Sequence, residues 1–347
     1  MSMLEVIYEK VNSDNILNAD EIVALLNTQG EDLHSLYSKS DFIRKQFHGD
    51  TIYLRGIIEF SNYCSKNCYY CGIRHDNLEV NRYRIAVQEI IEACKMIEQA
   101  GQTTVVLQSG EDYYFTGEIV GEIIAAIKRE TGLAVTLSLG ERDEEIYRYW
   151  KEMGMDRYLI RIETSDKALF EMCHPDDDFD QRLSCIKTLK KLGVQTGSGV
   201  LIGLPGQTIE QLARDILFCS GLDLDMIGVG PFIPHHNTPF ANELNPFDKE
   251  VFFKVIAIFR LLNKAAHIPA TTAYDAIHPH GRDLVLQRGA NIFMPNSTPQ
   301  KYRNDYQLYP GKPCVDESMA DCASCVAGRI KRLGRLIGKD QGHSLKL

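Results

Sequence analysis

Eight short apolar runs, each followed by an amphipathic stretch, dominate the chain between about residues 50 and 300. The runs are TIYLRGIIEF (51–60), TTVVLQ (103–108), LAVTLSL (133–139), RYLIRIE (157–163), VQTGSGVLIG (194–203), LDMIGVGPF (224–232), IPATTA (268–273) and ANIFMPN (290–296). Helical patterning fills the gaps at 86–100, 117–130, 141–153, 180–192, 208–220, 248–265 and 279–288. Strands that alternate with helices lie parallel, because each crossover helix returns the chain to the same end of the sheet. Eight such units in about 250 residues predict an α/β fold, a (β/α)8 TIM-type barrel. An open doubly wound sheet is the structural alternative.

The flanks differ in texture. Residues 1–48 read as an N-terminal helical extension, in which NADEIVALLN has Asn18 as N-cap, acids in the first turn and apolar residues at helical spacing. The barrel is expected over 49–300. Residues 301–347 read as a C-terminal cap, irregular through KYRNDYQLYPGKPCVDESMADCASC and closing on a basic helix, RIKRLGRLIGK. A net charge of −9, from 38 basic and 47 acidic residues, argues against nonspecific nucleic-acid binding, which relies on basic patches. No apolar run approaches the ~20 residues that span a bilayer. The segment MSMLEVIYEKVNSDN lacks the basic and apolar regions of a signal peptide. A cytoplasmic protein with neither membrane nor nucleic acid as partner is expected.

Ten cysteines are many for such a chain. Four of them (Cys94, Cys173, Cys185, Cys219) are scattered and suit small buried hydrophobes. The other six form two triplets, which suggests metal rather than disulfides. Cys64, Cys68 and Cys71, spaced C-x3-C-x2-C, follow the first strand. Cys314, Cys322 and Cys325, spaced C-x7-C-x2-C, lie in the cap. A loop leaving the first strand sits at the C-terminal mouth, where barrel enzymes keep their chemistry. Three thiolates there can hold three corners of a [4Fe–4S] cubane and leave the fourth iron for another ligand. A zinc knuckle with a distant fourth ligand and a reactive-cysteine loop are the other readings of this spacing.

With Tyr70 before its third cysteine, the loop resembles the signature of the radical S-adenosylmethionine (SAM) enzymes. The resemblance implies that Cys64, Cys68 and Cys71 bind the catalytic [4Fe–4S] cluster. It also implies that the open iron chelates the amino and carboxylate groups of SAM, which an electron cleaves to methionine and a 5′-deoxyadenosyl radical. The family's SAM contacts carry over onto Tyr70, onto QSGED (108–112) with Ser109, Gly110 and Glu111, and onto Ser138. Glu163 is then expected to accept the ribose hydroxyls, as carboxylates do in other nucleotide sites, and Arg182 to pair with the methionine carboxylate. Leu204, in the Gly/Pro turn of VLIGLPGQT, lies beside the adenine or ribose. Without the resemblance, Glu111 reads as a solvated turn acid and Arg182 as an exposed helix arginine.

A narrower likeness, to the [FeFe]-hydrogenase maturases of the HydE family, rests on RGIIEFSNYCSKNCYYCGIR, NRYR (81–84), TVVLQSGED, VTLSLGE, GLPGQT, GVGPFIPH, IPATTA and LYPGKPC. It implies an organometallic iron–cysteine substrate carrying CO and cyanide, attacked by the adenosyl radical at its cysteine sulfur. It further implies an external electron donor, the partner maturase HydG and the scaffold HydF. Such a compact anion calls for donors at the mouth. Arg161 shares a strand face with Glu163, and the hydroxyls of Thr136, Thr271 and Thr272 lie near strand ends, with Met294 and Tyr306 closing the cavity. Arg161 is alternatively a structural partner of Glu163. The cap triplet matches the family's accessory cluster, [2Fe–2S] or [4Fe–4S], with zinc or plain thiols as alternatives.

Biotin synthase shares the fold but needs cysteines inside the barrel, and LAVTLSL and TGSGVLIG have none. A methylornithine synthase, which rearranges lysine, is the second enzymatic reading. A non-catalytic carrier of two metal clusters is the reading from another class.

Overall fold

Strands that are apolar on both faces must be covered on both, by a barrel core within and helices without. The computed structural model, which describes residues 2–346, builds the eight runs that way. The strands are β1 (Thr51–Ser61), β2 (Thr104–Ser109), β3 (Ala134–Ser138), β4 (Arg157–Leu159), β5 (Gln195–Ile202), β6 (Met226–Pro231), β7 (Pro269–Ala270) and β8 (Ile292–Phe293). They are parallel, in the order β6-β5-β4-β3-β2-β1-β8-β7. The two ends of that order meet at a bridge between Met226 and His267, where Ile227 N donates to His267 O at 2.9 Å. The sheet is therefore a nearly closed barrel and not the open alternative.

Three strands, β4, β7 and β8, fall well short of their apolar runs. β4 ends at Leu159, and Ile162 N donates to the Ser198 hydroxyl at 3.1 Å before pairing with β5 resumes at a bridge between Glu163 and Val200. Pro269 has no N–H to give β7, and β8 runs into Pro295 two residues after its end. A helix at Lys167–Cys173 was not anticipated, although Asp166 caps it by accepting from Leu169 N at 3.0 Å.

The cap also departs from expectation. Its helix runs over Met319–Arg332, so it carries Cys322 and Cys325 instead of following them. Gly334, at φ 67°, ends it, and Arg335 N returns to Ile330 O at 3.1 Å in the wrap of a glycine-terminated helix. Residues beyond that glycine, expected to be helical, form β9 (Leu336–Ile337) beside β1. The tail then crosses the N-terminal end of the barrel. There the buried Arg157 donates to Gln341 O (2.7 Å) and Gly342 O (3.0 Å), and Arg55 donates to Gly342 O (3.1 Å). Both cations are buried against the tail, so the bottom is plugged and access is from the opposite, C-terminal end.

The N-terminal helices Met3–Asn12, Ala19–Leu26 and Gly30–His48 share one hydrophobic core with the barrel. The helix Lys249–Leu262 is buried throughout Val251–Leu261, as a helix covered on several sides must be. Its Lys254 reaches Leu26 O at 2.9 Å. No helix is long and apolar enough to cross a membrane among the described residues.

Candidate active site

The loop after β1 is held from three directions. Arg82 threads it, donating to Ile73 O (2.9 Å), Arg74 O (2.6 Å), Asn77 O (3.2 Å) and also to Asn62 O. From the β2 loop, Glu111 N lies 3.3 Å from Cys64 Sγ, and Ser65 N donates to Glu111 O at 2.9 Å. From the cap, Leu308 O accepts from Gly72 N at 2.9 Å. Two glycines make these approaches possible. A Cβ on Gly110 would stand 2.2 Å from Tyr63 O, and one on Gly72 would stand 2.1 Å from Gln307 O.

The three cysteines open onto a cavity of about 350 Å³ at the C-terminal end of the barrel. Burial pushes the Cys71 thiol up to about 12 and raises Cys64 and Cys68 as well, so metal must displace their protons. The three thiols do not gather within 4.8 Å of one another, the closeness that ligands of one ion take. Facing one cavity at wider spacing, they suit the corners of a cluster.

Glu163 supplies the second fit. Its left-handed backbone turns the carboxylate into the same cavity, where Arg161 Nη2 lies 3.1 Å from Oε1 and the Tyr70 hydroxyl 3.4 Å. The other oxygen, Oε2, is buried with no partner. A lone carboxylate oxygen facing a cavity is an acceptor for a ligand's hydroxyls, and it matches the ribose of SAM. Tyr70 is set by His174 at 2.9 Å. Burial holds the His174 pKa down at about 4; its Nδ1 donates to Phe170 O, which leaves Nε2 to accept from Tyr70.

Most other expected residues also line the cavity: Ser109, Gly110, Glu111, Ser138, Arg182, Thr271, Thr272, Met294 and Tyr306. Several are already engaged. Glu111 accepts from Tyr113 (2.7 Å) and from Glu141 N (3.0 Å). Arg182 is clamped by Glu141 and by Asp177 (2.5 Å) and donates to Arg161 O (3.0 Å). Burial opposes the Arg182 charge, yet the two carboxylates outweigh it and push the pKa up. Its guanidinium thus serves as a keystone that ties the loops together at the cavity wall. Thr271 donates to Val229 O (3.1 Å), and Thr272 bonds the Tyr309 hydroxyl (2.7 Å). Gln108 donates to the Tyr306 hydroxyl at 3.2 Å.

Two expected residues lie elsewhere. Thr136 is buried in β3 without reaching the cavity, its hydroxyl unpartnered. Leu204 packs with Leu201, Phe232 and Phe240 behind Tyr69 and Tyr70, supporting the cysteine loop from outside the cavity.

Sequence reasoning missed a charged pair in the cavity wall. Lys312 Nζ stands 2.5 Å from both carboxylate oxygens of Glu59 and donates to Tyr306 O at 3.0 Å. Glu59 breaks the apolar run of β1, and that break was the available signal. In the cap, Cys322 is buried, Cys314 partly so, and Cys325 exposed.

Residues 58–219 match the radical SAM superfamily. The barrel, the open three-cysteine loop and that match place the chain in the radical SAM superfamily of enzymes, which use a [4Fe–4S] cluster and SAM. Within it, the chain belongs to the family of the [FeFe] hydrogenase maturase subunit HydE of Thermotoga maritima, with 49% identity over 308 residues, 89% of this chain and 88% of that protein. It is more distantly similar to the 3-methylornithine synthase of Methanosarcina acetivorans, 31% identical over 82% of this chain and 81% of that one. The solved structure of methylornithine synthase (PylB) superposes with a TM-score of 0.84 at 28% identity, covering 97% of each chain. The maturase HydG of Carboxydothermus hydrogenoformans shares the fold, with a TM-score of 0.81 at 23% identity over 96% of this chain and 79% of that one.

Proposed function

We propose that the chain acts in [FeFe]-hydrogenase maturation, on a compact iron–cysteine complex carrying CO and cyanide. The observation that carries this reading is the 49% identity to a HydE maturase across nearly the whole of both chains. The cavity agrees with it. At about 350 Å³ it lies at the small end of ligand pockets, and the Arg161 guanidinium lines it.

Cys64, Cys68 and Cys71 would hold the cluster, and Glu163 Oε2 would take the ribose hydroxyls of SAM. When bound, the reduced cluster supplies the electron that cleaves SAM to methionine and a 5′-deoxyadenosyl radical. The protein's own residues do the rest. Arg161 holds the Glu163 carboxylate in place at 3.1 Å, and His174 fixes Tyr70 beside it. The plugged barrel floor closes the far end to solvent. Thr271, Thr272 and Tyr306 set hydroxyls around the remaining space. HydG as the supplier of substrate, HydF as the recipient, an external electron donor and a cytoplasmic location complete this reading. So does an accessory iron–sulfur cluster in the cap, with Cys314, Cys322 and Cys325 as its thiols.

The test is turnover of reconstituted, reduced protein with SAM and either a synthetic iron–cysteine carbonyl-cyanide complex or lysine. Substrate-dependent 5′-deoxyadenosine with the iron complex alone supports the proposal. Methylornithine from lysine would replace it with the second reading, which the PylB superposition keeps open.

A further inference from the structure

Residues 173–177, at and just after the end of the helix Lys167–Cys173, run along the cysteine loop and bind it at four points. Tyr69 N donates to Cys173 O at 2.9 Å. Lys66 Nζ donates to Asp176 O (3.3 Å) and pairs with Asp177 (2.5 Å). The fourth point is Tyr70, which lines the cavity and whose hydroxyl lies 2.9 Å from His174 Nε2. His174 itself does not line the cavity.

The Tyr70 hydroxyl has one proton and two acceptors near it: His174 Nε2 at 2.9 Å and Glu163 Oε1 at 3.4 Å. A hydrogen bond to a charged acceptor is roughly twice as strong as one between neutral groups, so an unrestrained phenol turns to the carboxylate. Here the imidazole holds it instead, and the imidazole is itself held. His174 is buried and stacks on Phe170 with ring centroids 4.3 Å apart. Its backbone N and its Nδ1 both donate to Phe170 O at 2.9 Å. With Nδ1 a donor and the ring kept neutral by burial, Nε2 is an acceptor. The Tyr70 and His174 rings meet edge to face, at 84° and 5.4 Å. Glu163 is left with Arg161 on Oε1 and nothing on Oε2.

We propose that His174 is a positioning residue for SAM: by accepting the Tyr70 hydroxyl it holds the phenol off the Glu163 carboxylate and leaves that carboxylate open to the ribose. Without the imidazole, the phenol closes onto Glu163, and SAM has to displace it before binding. The inference rests on the reading that Glu163 takes the ribose hydroxyls, and it adds a residue behind the cavity wall on which that reading depends.

The probe is SAM, titrated calorimetrically into the anaerobically reconstituted full chain. His174→Phe keeps the packing on Phe170 and removes the acceptor. It binds SAM about tenfold more weakly than wild type, the low end for a competing hydrogen bond to a charged group, with iron content unchanged. His174→Gln, whose side-chain oxygen can accept where Nε2 does, recovers most of the loss. Tyr70→Phe added to His174→Phe also recovers most of it, because the competing hydroxyl is gone. A merely structural role for His174 gives no such recovery from a second substitution. His174→Leu serves in place of His174→Phe if the latter does not fold. Single variants that bind SAM like wild type, or a double variant no better than its single parent, overturn the positioning role while leaving Glu163 its ribose. Cluster-loaded wild type that binds SAM no better than Glu163→Gln overturns the reading of Glu163, and the inference with it.

Discussion

Lys312 and Glu59, 253 positions apart in the chain, form an ion pair inside the barrel, with Nζ 2.5 Å from both carboxylate oxygens. The pair ties the cap to β1 at the cavity wall, and Cys314 follows Lys312 by two residues. Glu59 is 3% exposed, so it depends on its partner. Lys312→Met strands a buried charge and should destabilise the protein by about 3–5 kcal/mol. Adding Glu59→Gln should recover most of that loss. Denaturant unfolding of the two variants checks both statements.

Gly110 brings the β2 loop against the cysteine loop. Gly110→Ala must push either Tyr63 O or Cys64 Cβ, which would lie at 2.2 and 2.8 Å from the new methyl. The predicted result is a folded protein with lowered iron content. SAM cleavage falls by about 100-fold, the order of loss a misplacement near 1 Å produces. Iron analysis and 5′-deoxyadenosine assay read the two effects.

Glu163 offers its free oxygen to the ribose. Hydrogen bonds to charged groups contribute about 1.5–3 kcal/mol, so Glu163→Gln should weaken SAM binding by at least about tenfold. Cluster content should stay unchanged, because the three cysteines are untouched. Calorimetric titration with SAM measures the first and iron analysis the second.

Asp275 pairs with Arg282 (2.6 Å) within the barrel and with Arg329 (2.7 Å) of the cap helix. Burial by itself would raise its pKa, but the Arg329 hydrogen bonds and the Arg282 charge prevail and hold it at about 2. Its value in the unfolded chain is about 3.9. A depressed folded value makes the unfolded chain take up the proton first, so the stabilisation is complete well above pH 4 and is lost as pH falls towards 2. The stability gap between metal-free wild type and Asp275→Asn should therefore be full at pH 6 and shrink steadily below pH 4. A gap that does not change with pH would contradict the assignment.

Much of the barrel was legible because its strands are apolar on both faces and its helices on one. The places where pattern reading failed are those where backbone chemistry overrode it. Ile162 N leaves the strand ladder for the Ser198 hydroxyl, and Pro269 and Pro295 curtail β7 and β8. Gly334 stops the last helix midway through the basic stretch expected to be helical. In the site, the cysteine loop was visible as spacing and Glu163 by position. Arg182 was not readable as a keystone, because Glu141 and Asp177 reach it from different loops. Lys312 was equally hidden, since its partner Glu59 lies on β1, far away in the chain.

The central claim is that Cys64, Cys68 and Cys71 form an open cluster site that cleaves SAM. The most direct test is anaerobic reconstitution with iron and sulfide, reduction, and 5′-deoxyadenosine assay of wild type and Cys68→Ala. The account predicts SAM cleavage by the wild type and its loss in the variant. Cluster-loaded wild type that leaves SAM intact, or a variant that cleaves it equally well, would contradict it.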